Sequence, residues 1–164
     1  MRSPDDTALE VVVGRLLKQR AFTLALAESC TGGLISHRVT NVPGSSGYYQ
    51  GAVVAYSNEI KELVLQVRRD TLHCYGSVSE RAALEMARGV RCALRADIGL
   101  SVTGIAGPGG GTPEKPVGLI YISLAAPDVE RVERYVWNGN RWENKTRSVE
   151  AALGLLRRYL EGRL

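Results

Sequence analysis

Apolar residues recur at two different spacings along this chain, and the switches between them outline its elements. Leu9, Val12, Val13, Leu16 and Leu17 share one face of a helix running to about residue 20. Ahead of it, Ser3-Pro4-Asp5-Asp6 supplies a cap, a proline for the first position and acids for the first turn. Residues 22–28 are a compact apolar run that predicts a strand, and residues 32–40 return to helical spacing. After the loop Val42-Pro43-Gly44-Ser45-Ser46-Gly47, the segment Tyr48 to Tyr56, rich in Val, Ala and Tyr, predicts a second strand. Asn58 is placed to cap a helix carrying Ile60, Leu63, Val64 and Val67. A turn at Tyr75-Gly76 then leads to Ser79, the cap of a helix over 80–95. Ile98 to Ile105 is nearly all apolar, as in a strand covered on both faces. The segment GPGGGTPEKPVG separates it from strands at 118–125 and 131–137, joined as a hairpin through a turn at Asp128. A last helix spans about 141–161.

Strands thus alternate with helices at first and then pair by short connections. That order predicts an α/β chain, a three-layer α/β/α sandwich around a mixed sheet, with residues 1–164 as a single domain. In such sheets, sites form beyond the carboxyl ends of strands, and three polar clusters here follow apolar strand runs.

Composition narrows the classes. With 45% hydrophobic and 23% charged residues the chain is ordinary for a globular domain, and it holds no run of 18 apolar residues to span a membrane. The opening MRSPDDTALE is acidic and lacks an apolar signal core, so the cytoplasm is the expected location. Three cysteines (Cys30, Cys74 and Cys92), an odd count without CxxC spacing, predict free thiols in a reducing compartment. A net charge of +4 suits an anionic substrate but is too mild to argue for nucleic acid. Arg88, Arg91 and Arg95 fall at helical spacing, yet no aromatic residues interleave for base stacking, so they read as a solvated face.

The first polar cluster is Glu28-Ser29-Cys30-Thr31-Gly32-Gly33, at a strand-to-helix turn. A nucleophile there, Ser29 or Cys30, would have unpaired amides and a positive helix field beside it. A plain turn capped by Thr31 uses the same residues. The second is Tyr56-Ser57-Asn58-Glu59-Ile60-Lys61. In the first turn of a helix, and further if buried, Lys61 would lose its proton easily and could serve as a general base for serine, with Tyr56 relaying or holding the proton. A surface lysine with its stem on the core is the alternative. The third runs from Thr103-Gly104 through Gly107 to Gly111 and on to Gly118, where main-chain amides could approach a phosphate or carboxylate. No GK[ST] follows and no helix opens after it, so it is neither a Walker A loop nor a dinucleotide fingerprint. Only His37 and His73 are present, neither at ligand spacing with cysteines or carboxylates, so no zinc site is expected. A Cys30–His37 dyad would put the histidine seven residues along the same helix, aimed away from the strand end.

Taken together, AESCTGG, AYSNEIK, YGSVSE and VTGIAGPGGGTPEKPVG resemble the CinA C-terminal domain family, whose characterised members are nicotinamide-nucleotide amidases, also called PncC. The resemblance runs from about residue 5 to the end in near-gapless order. Longer CinA proteins carry a further N-terminal domain, and the length here matches the stand-alone form. The resemblance implies hydrolysis of nicotinamide mononucleotide to nicotinic acid mononucleotide and ammonia, in pyridine nucleotide salvage, without metal or organic cofactor. It implies Ser29 as nucleophile rather than Cys30, Lys61 as base and acid, and Tyr56 holding the pair in register. Amides near Thr31, Gly32 and Gly33 would take the oxyanion, with Cys30 among the substrate-binding residues. Thr103, Gly104 and Gly107, with Ser45, Ser46 and the first-helix amides, would seat phosphate and ribose. Family members usually show a GDR-type motif with an arginine four residues on. Here Gly139-Asn140-Arg141 keeps the arginine but not the aspartate, and Lys145 supplies charge without the bidentate fork. A homodimer is expected, because family members associate and edge strands need cover. The rival class is a nucleotide-binding module without turnover, which would have no reason to assemble Ser29, Tyr56 and Lys61. A DNA-linked role lacks a basic, aromatic-studded surface, and neither nucleic acid nor membrane is an expected partner.

Overall fold

The computed structural model describes residues 6–164. Its elements run α1 (Leu9–Arg20), β1 (Leu24–Glu28), α2 (Leu34–Thr40), β2 (Tyr49–Val54), α3 (Asn58–Leu63), α4 (Arg69–Tyr75), α5 (Glu80–Ala93), β3 (Ile98–Gly104), β4 (Leu119–Ala125), β5 (Glu130–Val136) and α6 (Arg141–Leu160), with a 3-10 turn at Ser45–Gly47. The five strands form one sheet in the order β2-β1-β3-β4-β5. β1 pairs in parallel with both β2 and β3, and β4 is antiparallel to β3 and β5. The mixed sheet between two helical layers is the architecture read from the sequence. No helix among the described residues is long and apolar enough to cross a membrane.

The sheet's two faces differ in side-chain size, and that difference sorts the helices. Leu24, Leu26, Ile98, Leu100, Val102, Ile120, Ile122 and Leu124 enter one large core with residues of α1, α2 and α6. Strand alternation turns the small side chains Ala25 and Ala27 to the opposite face, where they meet Met86 and Val90 of α5. Small residues let α5 lie close: a Cβ added to Gly99 would stand 2.0 Å from the Ala87 carbonyl oxygen. Ser101 uses the same proximity to donate to the Ala83 carbonyl at 2.6 Å. From β1 the chain crosses through α2 to β2, and from β2 through α3–α5 to β3 on the other side of β1. The carboxyl end of β1 therefore lies between two neighbouring strand ends, the crevice in which such sheets place ligands.

The helix expected over 58–67 ends early, at Leu63, and a separate α4 follows. Gln66 takes φ +55°, and the Val67 amide donates back to the Lys61 carbonyl. The bend buries Leu65 and Val67, and α5 accommodates it at Gly89, where a Cβ would lie 1.9 Å from the Leu65 carbonyl oxygen. Ser57, not Asn58, caps α3 by accepting from the Ile60 amide. The cap expected from Ser3-Pro4-Asp5 lies outside the described residues, and the helix starts at Leu9. Arg88 pairs with Glu130, and Arg95 falls beyond the end of α5.

Candidate active site

Ser29 directly follows β1, and Lys61 reaches it from the second turn of α3. The Lys61 Nζ lies 3.0 Å from the Ser29 Oγ and donates at 2.7 Å to the Ala55 carbonyl oxygen. Both side chains are buried, Ser29 being 8% and Lys61 2% exposed. No carboxylate pairs with the lysine among the described residues. Burial lowers the Lys61 pKa from its ordinary value of 10.5. The ammonium would donate to Ser29, whereas the neutral amine keeps one N–H for Ala55 and turns its lone pair to the serine hydroxyl. The Cys30 thiol is pushed the other way: burial raises its pKa to about 12, so it stays protonated and is a poor nucleophile. Cys74 and Cys92 are exposed and all three thiols are free.

The pair opens into a pocket of ≈ 230 Å³ whose walls include Cys30, Tyr56, Ser77, Gly104, Gly107 and Arg141. Tyr56 is 63% exposed, and its hydroxyl accepts from the Arg141 guanidinium at 3.0 Å rather than bonding to Ser29 or Lys61. Arg141 also donates to the Gly107 carbonyl at 2.7 Å, so it bridges the end of β2, the glycine-rich loop and the start of α6. Lysine placement falls instead to the Ala55 carbonyl, a backbone group that no side-chain pattern announces. Gly104 leaves space that a Cβ would fill at 2.3 Å from Ile120 Cδ1. The Lys145 amine stands by the nucleophile turn, 3.7 Å from where a Gly32 Cβ would be, with no hydrogen-bond or ion-pair partner among the described residues.

Several expected ligand contacts are not available here. Ser45 and Ser46 precede β2, whose Tyr49 pairs with Leu24 at the start of β1, while Ser29 follows its end. Six residues of parallel strand, roughly 20 Å, therefore separate them from the nucleophile within this chain. The buried Thr103 donates its hydroxyl to the Ser77 carbonyl at 2.8 Å and fixes the 75–79 segment instead of lining the pocket. The Gly32 amide donates to the Ser29 carbonyl and the Gly33 amide to Glu28, so neither is free for an oxyanion. The Cys30 and Thr31 amides, immediately after the nucleophile, donate to no other residue among those described; Cys30 lines the pocket, whereas Thr31 is buried and does not. The first-helix amides of α2 are likewise taken: Ile35 and Ser36 donate to Glu28. Thr31 is not the cap of α2, since its hydroxyl also donates to Glu28. The departure at Asn140 is structural in effect, because Asn140 caps α6 in a reciprocal capping box with Glu143. Sequence reasoning missed Glu28, Ser77 and Asn144, the last tying α6 to the Ala106 carbonyl at 3.1 Å. YGSVSE pointed toward Ser77 without giving it a task.

This is an α/β/α protein with a buried lysine–serine pair beneath a glycine-rich loop at the carboxyl edge of its parallel strands. Residues 6–160 match the family described as the CinA C-terminal domain. The chain belongs to that family. It is 52% identical over 159 residues to a competence-damage inducible protein of Caldanaerobacter subterraneus subsp. tengcongensis, covering 97% of this chain and 39% of that protein. A CinA-like protein of Thermotoga maritima is 51% identical, again over 97% of this chain and 39% of its own length. The chain thus spans about two fifths of these relatives. Among solved structures, a CinA superfamily protein from Klebsiella pneumoniae superimposes with TM-score 0.90 at 32% identity, over 94% of this chain and 96% of that one. The competence/damage inducible protein CihA from Agrobacterium tumefaciens gives 0.84 at 36% identity, over 95% and 96%.

Proposed function

We propose that the chain is a hydrolase of a linear amide, acting on the carboxamide of nicotinamide mononucleotide, with Ser29 as nucleophile and Lys61 as general base and acid. The observation that carries this reading is the 3.0 Å approach of a buried amine, its pKa lowered by that burial, to a hydroxyl on a pocket wall. The substrate comes from the resemblance of four motifs to amidases of this family. Ser29 attacks the carboxamide carbon as its proton passes to the neutral Lys61 amine. The Cys30 and Thr31 amides receive the oxyanion, in place of the Gly32 and Gly33 donors expected from the sequence. Lys61 then protonates the departing nitrogen, ammonia leaves, and a water that gives its proton to Lys61 releases the acid and restores Ser29. Arg141 and Lys145 are the groups proposed to meet the phosphate, since the α2 amides are occupied. A cytoplasmic homodimer that needs no metal or organic cofactor goes with this reading.

Incubating the protein with nicotinamide mononucleotide and a chelator, and assaying ammonia, tests it. Release that is abolished in Ser29→Ala and kept within about tenfold in Cys30→Ala supports the assignment. Saturable binding without ammonia would make the chain a nucleotide-binding module, and loss in Cys30→Ala alone would move the nucleophile.

A further inference from the structure

We propose that Glu28 is a positioning residue for catalysis: its buried carboxylate folds the nucleophile turn so that the Cys30 and Thr31 amides stay open for the oxyanion. The inference rests on the amidase reading. Strand alternation places Glu28 on the same face as Leu24 and Leu26, within the large hydrophobic core, where it is 0% exposed. No cation pairs with it among the described residues. Four donors converge on it instead. Oε2 accepts from the Thr31 hydroxyl at 2.7 Å and from the Gly33 and Ile35 amides at 3.1 Å each. Oε1 accepts from the Ser36 amide at 2.8 Å.

A carboxylate in a core is costly unless such bonds repay it, and an apolar residue would serve packing better. Simple helix capping would not require it, because a serine or aspartate at the cap position does that from the surface. The cap position of α2 is Gly33, at φ +95° and with no side-chain cap, so the strand beneath supplies the acceptor. Glu28 neither lines the pocket nor bonds to Ser29 or Lys61, which leaves it no proton to move. What it does is gather the Thr31 hydroxyl and the amides of Gly33, Ile35 and Ser36 onto one internal carboxyl group. The turn that results holds the amides of Cys30 and Thr31 unspent beside Ser29.

Glu28→Gln tests this, since the shape remains while one oxygen becomes an NH2 facing the donors. Two readouts are needed: steady-state hydrolysis of nicotinamide mononucleotide, and acetylation of Ser29 by p-nitrophenyl acetate, followed by nitrophenolate release and peptide mass. The expected result is a fall of about 100-fold or more in kcat and in acetylation rate, with KM within about threefold. The inflection of the pH–rate profile set by Lys61 should not move. Should Glu28→Gln fail to fold, Thr31→Val removes a single donor; it should lower both rates about tenfold, and Thr31→Ser should restore them. Wild-type kcat and acetylation in folded Glu28→Gln, or a raised KM with kcat intact, would overturn the proposal. If the native protein acetylates at Ser29 but releases no ammonia from the mononucleotide, the substrate reading fails while Glu28 is still judged by acetylation.

Discussion

Lys61→Met removes the only ionisable side chain hydrogen-bonded to Ser29 among the described residues and keeps a similar length and volume. Turnover should fall by about 10³-fold or more, because nucleophile and base act as a unit. Stability should lose a specific pH dependence at the same time. The folded pKa of Lys61 lies below its ordinary 10.5, chiefly through burial. Between that lowered value and 10.5 the unfolded chain binds a proton that the folded chain does not. Native stability therefore climbs with pH across this window, by at most about 1.4 kcal/mol per pH unit for one proton. Below the window the native protein carries the whole cost of burying the ammonium; at its top that cost is gone. The methionine variant has no such term, but it leaves the Ala55 carbonyl without its donor, a loss of about 1–3 kcal/mol at every pH. Relative to wild type it should be most favoured at low pH and least favoured as the pH approaches 10.5. Urea denaturation of both proteins from about pH 6 upward reads this difference, and wild-type kcat/KM should rise toward the foot of the window, as the neutral amine fills, and level off within it. Parallel stability curves for the two proteins, or a kcat/KM that stays flat where their difference bends, would refute the buried-base argument.

Lys145→Met should raise KM for the mononucleotide about tenfold and leave KM for the nucleoside that lacks phosphate unchanged, as steady-state kinetics with both will show. Asn140→Ala should cost about 1 kcal/mol in chemical denaturation by removing the α6 cap, while Asn140→Asp, an equally good cap, should be near neutral in stability and turnover. Gly89→Ala drives a methyl into the Leu65 carbonyl, so denaturation should show a loss of about 3 kcal/mol, and activity should drop as the segment after Lys61 is displaced.

The sheet was legible because it is written in local signals, and the meeting of Ser29 with Lys61 because four motifs together resemble a known family. The unbroken apolar run at Ile98 marks a strand covered twice, and polar clusters after strands fall where strand ends gather. What stayed hidden depends on how segments meet. Leu65 and Val67 extend the helical spacing of α3, and only packing against Gly89 makes the chain bend between them. Ser57 and Asn58 are adjacent and equally able to cap, so the choice is made by backbone angles that the sequence does not display. Ser45 and Ser46 look like a polar loop suited to phosphate, and their remoteness follows from the parallel register of β2 with β1. Glu28 reads as part of a reactive cluster until the turn through Gly32 and Gly33, at φ +62° and +95°, shows where its oxygens go.

Two ionisable groups are buried on either side of the nucleophile, and their surroundings answer opposite requirements. Glu28 receives four donors, which fixes one backbone path through the turn. Lys61 receives a single carbonyl and a hydroxyl that can reverse its bond, so gaining or losing a proton disturbs little else. A base must change charge in every cycle, and an ion pair with a carboxylate would oppose that by holding the ammonium. The same division governs anion recognition. With the amides of α2 committed to Glu28, a substrate phosphate has to be met by side chains at the rim. Arg141 already bridges Tyr56 to the Gly107 carbonyl, whereas Lys145 has no such engagement. The unengaged amine can turn to a ligand without breaking a native bond, which is why the phosphate-dependent part of KM is assigned to Lys145 first.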